Sequence, residues 1–136
     1  KAKPTNPDVE RIGFSTWDGE VTAASDWGAP AERKRVRPAL TGSYEDFFHA
    51  VGLPRFWISL RRRGEAATLL GASRLQRAIG VIYRPETERA SHYFTASLSR
   101  QFDAVVHLDV TRAVEPLERT RGWDLGEPPE TYPTAL

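Results

Sequence analysis

Ala78-Ile79-Gly80-Val81-Ile82-Tyr83 is a run of uncharged, largely apolar residues closed at once by Arg84-Pro85. A strand with one wet face alternates apolar and polar side chains. A run of strand length without alternation predicts burial on both faces, the position of a central parallel strand in an α/β sheet. Gly80 inside it predicts close approach by another backbone. Downstream, Phe102 to Val110 reads as a second strong strand, with Ala104, Val105 and Val106 at its centre. Upstream, Arg55 to Leu60 sets Phe56, Ile58 and Leu60 against Arg55, Trp57 and Ser59, the pattern of a half-buried strand.

The best-specified helix precedes that strand. Ser43 is a good N-cap, because its hydroxyl can accept from an unpaired N–H of the first turn, and Asp46 follows three residues on. Tyr44, Phe47, Phe48 and Val51 fall at i, i+3, i+4 and i+7 and share one face, and Gly52 and Pro54 stop the helix. Glu65 to Leu70 predicts a short helix closed by Gly71. Near the start, Arg11 to Trp17 and Glu20 to Ala24 read as two strands, with Trp17-Asp18-Gly19-Glu20 supplying the Asp-Gly pair of a tight hairpin. Ser25 to Thr41 reads as a long connection carrying the basic run Arg33-Lys34-Arg35-Val36-Arg37. Residues 1–8 read as a flexible leading segment, 9–115 as the folded portion, and 116–136 as an extended C-terminal tail. One capped helix is too few to cover both faces of a parallel sheet, so further helices are expected from outside this chain.

Composition narrows the possible functions. Over 136 residues, 19 basic side chains balance 18 acidic ones, which leaves no global field for nucleic acid or an anionic membrane. No apolar run approaches the ~20 residues that span a bilayer. The absence of cysteine excludes thiolate chemistry and suits a reducing cytoplasm. The first residue is Lys1, not an initiating Met, which suggests a chain cut from a longer one. Metal-ligand spacings are absent, as are a nucleophile elbow, a phosphate loop and a dinucleotide fingerprint, so neither metal nor cofactor is expected.

Three histidines remain. His49 lies off the apolar face of the helix and reads as a boundary residue. His107 and Asp109, two apart on a strand, point to the same face, where the carboxylate can orient the imidazole; no nucleophile is near in sequence. His92, in Arg89-Ala90-Ser91-His92-Tyr93-Phe94, falls in a loop after the apolar run, where ligands of α/β folds usually bind. The basic runs Arg33 to Arg37 and Arg61 to Arg63 lack interleaved aromatics and read as solvated or internally ion-paired.

Several segments, in order along nearly the whole chain, resemble the C-terminal region of the erythromycin esterase family. They are Gly13-Phe14-Ser15-Thr16-Trp17 through Gly19-Glu20-Val21-Thr22, Pro30-Ala31-Glu32-Arg33-Lys34-Arg35-Val36-Arg37-Pro38, Ile79-Gly80-Val81-Ile82-Tyr83-Arg84-Pro85, Ser91-His92-Tyr93-Phe94, Gln101-Phe102-Asp103-Ala104-Val105-Val106-His107-Leu108-Asp109 with Thr111-Arg112, and Pro129-Glu130-Thr131-Tyr132-Pro133. The resemblance implies the C-terminal part of a three-layer α/β/α sheet fold with a β-hairpin insertion. It also implies a bacterial source and, for the drug-resistance members, hydrolysis of a macrolide lactone by activated water without a metal. The family's Glu and His acid–base groups and its His-Asn-x-His stretch precede the region represented here, so no catalytic residue is expected in this chain, which alone is expected to be inactive. Thr16, Thr22, Arg84, His92 and Tyr93 are the expected substrate-binding residues. The expected partners are a small-molecule ester or the N-terminal half of the fold, and an unpaired sheet edge is open to homo-oligomer formation. Two other readings stand beside this one: an anion-binding or interaction module built on residues 33–37, and a structural remnant without a ligand.

Overall fold

A computed structural model describes residues 9–61 and 64–126. The leading segment 1–8, Arg62, Arg63 and residues 127–136 of the expected tail, with the Pro129 to Pro133 resemblance, lie outside the described residues. The chain is α/β. β1 (Ile12–Ala23), β2 (Glu32–Val36), β3 (Arg55–Ser59) and β6 (Ala104–Thr111) form a sheet of order β2-β1-β6-β3, and β4 (Arg74–Arg77) and β5 (Tyr93–Ala96) form an antiparallel ribbon. β1 and β6 run parallel, while β2 and β3 flank them antiparallel. The helices are α1 (Tyr44–His49), α2 (Glu65–Leu69), α3 (Glu88–Ser91), α4 (Leu98–Gln101) and α5 (Arg121–Leu125).

α1 forms where the capping chemistry places it. Ser43 Oγ accepts from the Asp46 N–H at 3.2 Å, and Tyr44 and Phe48 are buried on one sheet face with Leu60, Leu70, Leu98 and Val105. Burying a large apolar side chain is worth roughly 1.5–3 kcal/mol, so this face of α1 supplies much of the core. The helix ends at His49, and Val51 is exposed. The Tyr44 hydroxyl donates to Leu70 O at 3.0 Å and accepts from Leu98 N at 3.0 Å, tying α1 to the segments beyond α2 and β5.

Alternation along β1, β6 and β3 divides the sheet. Gly13, Val105, His107, Phe56 and Ile58 face α1, whereas Phe14, Val106 and Trp57 sit in register on the opposite face, with Leu108 and Val110 beside them. Phe14 is 73% and Trp57 68% exposed, so among the described residues this second face has no covering layer.

The structure corrects several expectations. Residues 78–83 do not form a central strand: the run crosses as a loop, held by one bridge, Ala24 to Ile82. Its apolar character serves local packing, with Tyr83 and Ile79 against Ala23 and Val36 while Val81 is exposed. A Cβ on Gly80 would meet open space, so no backbone approaches there. The close approach occurs at Gly19, where φ is +124° and a Cβ would collide with the Thr111 backbone. For the same reason Asp18-Gly19 is no hairpin turn. β1 runs straight through it, and the glycine lets one strand pair with β6 below and β2 above. The hairpin that does form joins β1 to β2 around residues 24–31. The basic run is strand β2, not loop: Lys34 is buried beside Glu32, and Arg35 pairs with Asp18 at 2.7 Å. α5 lies in the segment read as an extended tail and packs on β2, with Arg33 over the Trp123 ring. Arg61, two residues past the end of β3, lies beside Glu10 and Asp103.

Candidate functional site

A cleft of about 410 Å³ opens at the C-terminal ends of the parallel pair β1 and β6, where ligands of α/β sheets characteristically bind. Phe14, Val21, Ile79, Leu108 and Val114 give it apolar walls, and Ser15, Thr16, Thr22, Thr111, Glu20, Glu45, Arg77 and Arg112 bring polar groups to it.

Two of the expected residues reach this cleft. Thr16 Oγ1 donates to Asp18 O at 2.7 Å and lies 3.2 Å from Thr111 Oγ1 across the parallel register. Thr22 Oγ1 donates to Val114 O and accepts from Trp123 Nε1. Arg84, His92 and Tyr93 are not among the cleft-lining residues. Arg84 reaches outward to Ser25 O and to Asp26 at 2.8 Å. His92 is buried, its Nε2 accepting from the Arg84 N–H and its Nδ1 donating to Ala78 O, so the ring pins both ends of the 78–84 loop. Tyr93 begins β5; its hydroxyl accepts from Leu40 N, and burial pushes its pKa up to about 12.

Two buried residues were missed by sequence reasoning. Arg77, at the end of β4, donates to Thr16 O, Trp17 O, Arg37 O and Glu88 Oε1, and its guanidinium lies 5.8 Å from the Tyr93 ring centroid. One planar group with several donors therefore joins β1, β2's continuation, β4 and α3. Glu45, in the first turn of α1, is 1% exposed. Its Oε1 accepts from the Arg77 N–H at 3.1 Å, while Oε2 has no hydrogen-bond partner. Burial pushes the Glu45 pKa up, against the opposing pull of its own and the Arg77 N–H groups and the Arg77 charge. Neither residue stands in a recognisable motif. The only signal was an acid on a capped helix turn, which reads equally well as a dipole partner.

A second polar group lies under α1. Parallel pairing sets Ser15 opposite His107, with Ser15 Oγ 2.9 Å from Nδ1, while His107 Nε2 lies 3.3 Å from Asp109 Oδ1 and His49 Nδ1 2.8 Å from the same oxygen. His49 stacks on Trp17 at 3.8 Å between ring centroids. His107 is fully buried between Phe48 and Phe56, and burial lowers its pKa despite Asp109. A neutral ring accepting from Ser15 and donating to Asp109 satisfies every group. The composition is that of a nucleophilic triad, but a fully enclosed imidazole cannot relay a proton to a substrate. The array serves to lock β1 to β6 beneath the helix.

Among the described residues no group of three His, Cys, Asp or Glu side chains gathers as a metal site, and no helix is long and apolar enough to cross a membrane. Two solved structures share the fold. One is a protein from Bacillus cereus, 21% identical with a TM-score of 0.58, and the other is described as a succinoglycan biosynthesis protein, 24% identical with a TM-score of 0.59. Each match covers 75% of this chain and 24% of the other, so the chain spans about a quarter of the length of these relatives. The erythromycin esterase family pattern matches residues 4–111, and the chain belongs to the erythromycin esterase family.

Proposed function

We propose that the chain forms one wall of the substrate cleft of a carboxylic-ester hydrolase acting on macrolide lactones, with the acid–base groups supplied by the remainder of the family fold. The observation that carries this reading is the cleft at the carboxyl ends of β1 and β6, which combines apolar walls with threonine hydroxyls and contains no histidine among its lining residues. Hydrolysis requires a positioned base and donors for the developing oxyanion. In this reading a wall of this composition binds and orients the ester, and the activation of water falls to groups outside this chain.

In this reading Thr16 and Thr22 face the ligand. Tyr93 and His92 act behind them, Tyr93 against the Arg77 guanidinium and His92 through the loop that carries Ile79 and Gly80. Arg84 anchors the far end of that loop. The uncovered sheet face of Phe14, Trp57 and Val110 takes the helical layer supplied by the N-terminal part of the fold, in a cytoplasmic protein. The anion-binding alternative is disfavoured by the charges themselves, because Lys34 and Arg35 have carboxylate partners within the chain.

The test is erythromycin hydrolysis by a polypeptide that joins this chain to the preceding portion of the family fold, with Thr16→Val and Thr22→Val variants. A raised KM with kcat nearly unchanged is expected, the sign of lost uniform binding. Unchanged KM in both variants of an active enzyme would remove the cleft from the reaction.

A further inference from the structure

The polar lining of the cleft divides into groups engaged within the fold and groups left over. Thr16 Oγ1 donates to Asp18 O, Thr22 Oγ1 donates to Val114 O, and Thr111 Oγ1 has Thr16 Oγ1 and Asp18 O as acceptors. Ser15 is engaged with His107, Glu45 is enclosed, and the Arg77 guanidinium holds three carbonyls and Glu88. Glu20 and Arg112 remain. Both line the cleft, Glu20 half-buried and Arg112 exposed, and among the described residues neither side chain has a hydrogen bond or an ion pair.

Their place in the fold explains why they do not neutralise each other. The parallel register of β1 and β6 ends at Gly19 and Thr111, so Glu20 and Arg112 are the first residues past it on each side. From Gly19 onward β1 pairs with β2, while β6 stops at Thr111. Arg35, the cross-strand neighbour of Glu20 on β2, pairs with Asp18 instead. Two opposite charges therefore stand unpaired at the carboxyl end of the parallel pair, in a cleft with Phe14, Val21, Ile79 and Leu108 as apolar walls. Low-dielectric walls strengthen the attraction of such charges for a counter-charge.

We propose that Glu20 and Arg112 are specificity-determining residues of this cleft: Glu20 receives a cationic amine and Arg112 a carboxylate of a ligand whose aliphatic body lies on the apolar walls. The proposal rests on the cleft reading and deepens it, naming a polar chemistry that the threonine hydroxyls do not read, since their protons are already engaged. A guanidinium matches a carboxylate with two parallel hydrogen bonds. Ester hydrolysis releases a carboxylate, so an amine-bearing acid is the ligand class that suits both residues.

The experiment titrates the 136-residue chain at pH 7 with hexylamine, hexanoate and hexanol, which share one aliphatic body, following the amides of Val21, Ile79, Gly80 and Thr111 by heteronuclear NMR. Each charged probe is expected to bind about threefold tighter than the alcohol, the scale of a partly exposed charge pair. Glu20→Gln should abolish the preference for hexylamine and keep that for hexanoate, and Arg112→Gln should do the reverse. Neither side chain is buried or paired, so both variants are expected to fold. Equal affinities for the three probes, or a preference that survives the loss of its own residue, overturn the proposal and leave the cleft reading standing. Silence of these amides toward all three probes removes both. Preferences that follow the two substitutions, without ester hydrolysis by the joined polypeptide, sustain this proposal and remove the hydrolase reading.

Discussion

Replacing Arg77 by Met is the most severe single perturbation the structure identifies outside the apolar core. The side chain is 2% exposed and reaches four acceptors, one of them the buried carboxylate of Glu88 at 3.0 Å. Methionine fills comparable volume, so the loss is electrostatic. Removing one partner of a buried ion pair costs roughly 3–5 kcal/mol. Each carbonyl left unpaired adds about 1 kcal/mol, less where the cleft admits water. A total of ~5–8 kcal/mol is comparable to the whole stability of many domains of this size, for which ~5–15 kcal/mol is usual. In urea, with a slope of ~1–3 kcal/mol per molar, the midpoint should fall by roughly 2 M or more, or the transition should vanish. Arg77→Lys should recover only part, because an ammonium presents no planar fork to span Thr16 O, Trp17 O and Arg37 O. Adding Glu88→Gln to Arg77→Met should restore stability relative to the single change by neutralising the stranded carboxylate, although Tyr83 also donates to it at 2.8 Å. A midpoint shift below about 0.5 M for Arg77→Met, or strict additivity with Glu88→Gln, would refute the argument that this guanidinium holds the cleft's frame.

Three further outcomes follow from the geometry. His107 has a pKa lowered by burial, so between its unfolded value near ~6.5 and its lower folded value the unfolded chain binds the extra proton; stability present above pH ~6.5 is therefore lost on acidification. Urea midpoints of the parent should decline from pH 7 to 5.5 more steeply than those of His107→Gln, and equal slopes would contradict the assignment. Glu45, with its pKa raised, acts in the opposite sense, losing stability as pH rises through its folded value, so the His107 contribution is read from that difference alone. Gly19→Ala should cost about 2 kcal/mol or more through its positive φ and the collision with Thr111, and a neutral result by denaturation would show that β1 and β6 can separate there. The isolated chain should self-associate through its open face, and Phe14→Ser with Trp57→Ser should yield a monomer in sedimentation without loss of stability, since both side chains are mostly exposed. Concentration-independent sedimentation of the parent would exclude that face as a contact.

What could be read in the chain was whatever depends on near neighbours. Ser43 caps α1 because the cap bond spans only three residues, and the α1, β3 and β6 patterns report burial on one face, which periodicity encodes directly. The ordered family segments carried the fold class in the same local way. The strand reading of Ala78 to Tyr83 failed because an apolar run records that side chains are buried but not whether the backbone is paired; these residues pack Tyr83 and Ile79 inward from a loop. β4 was hidden because Arg74-Leu75-Gln76-Arg77 has neither alternation nor β-branched residues, and it is set by distant carbonyls on β1 and at Arg37. Asp18-Gly19 spelled a turn locally, but Thr111, far away in sequence, turned that glycine into a crossing point. The cleft has the same origin. Thr16 and Thr22 were legible as strand residues near it, whereas Glu45 and Arg77 become a site only when α1, β4 and β1 are brought together. Tertiary structure alone decides which buried polar atoms are satisfied and which are left without a partner, because desolvation and pairing depend on groups that sequence separation keeps apart.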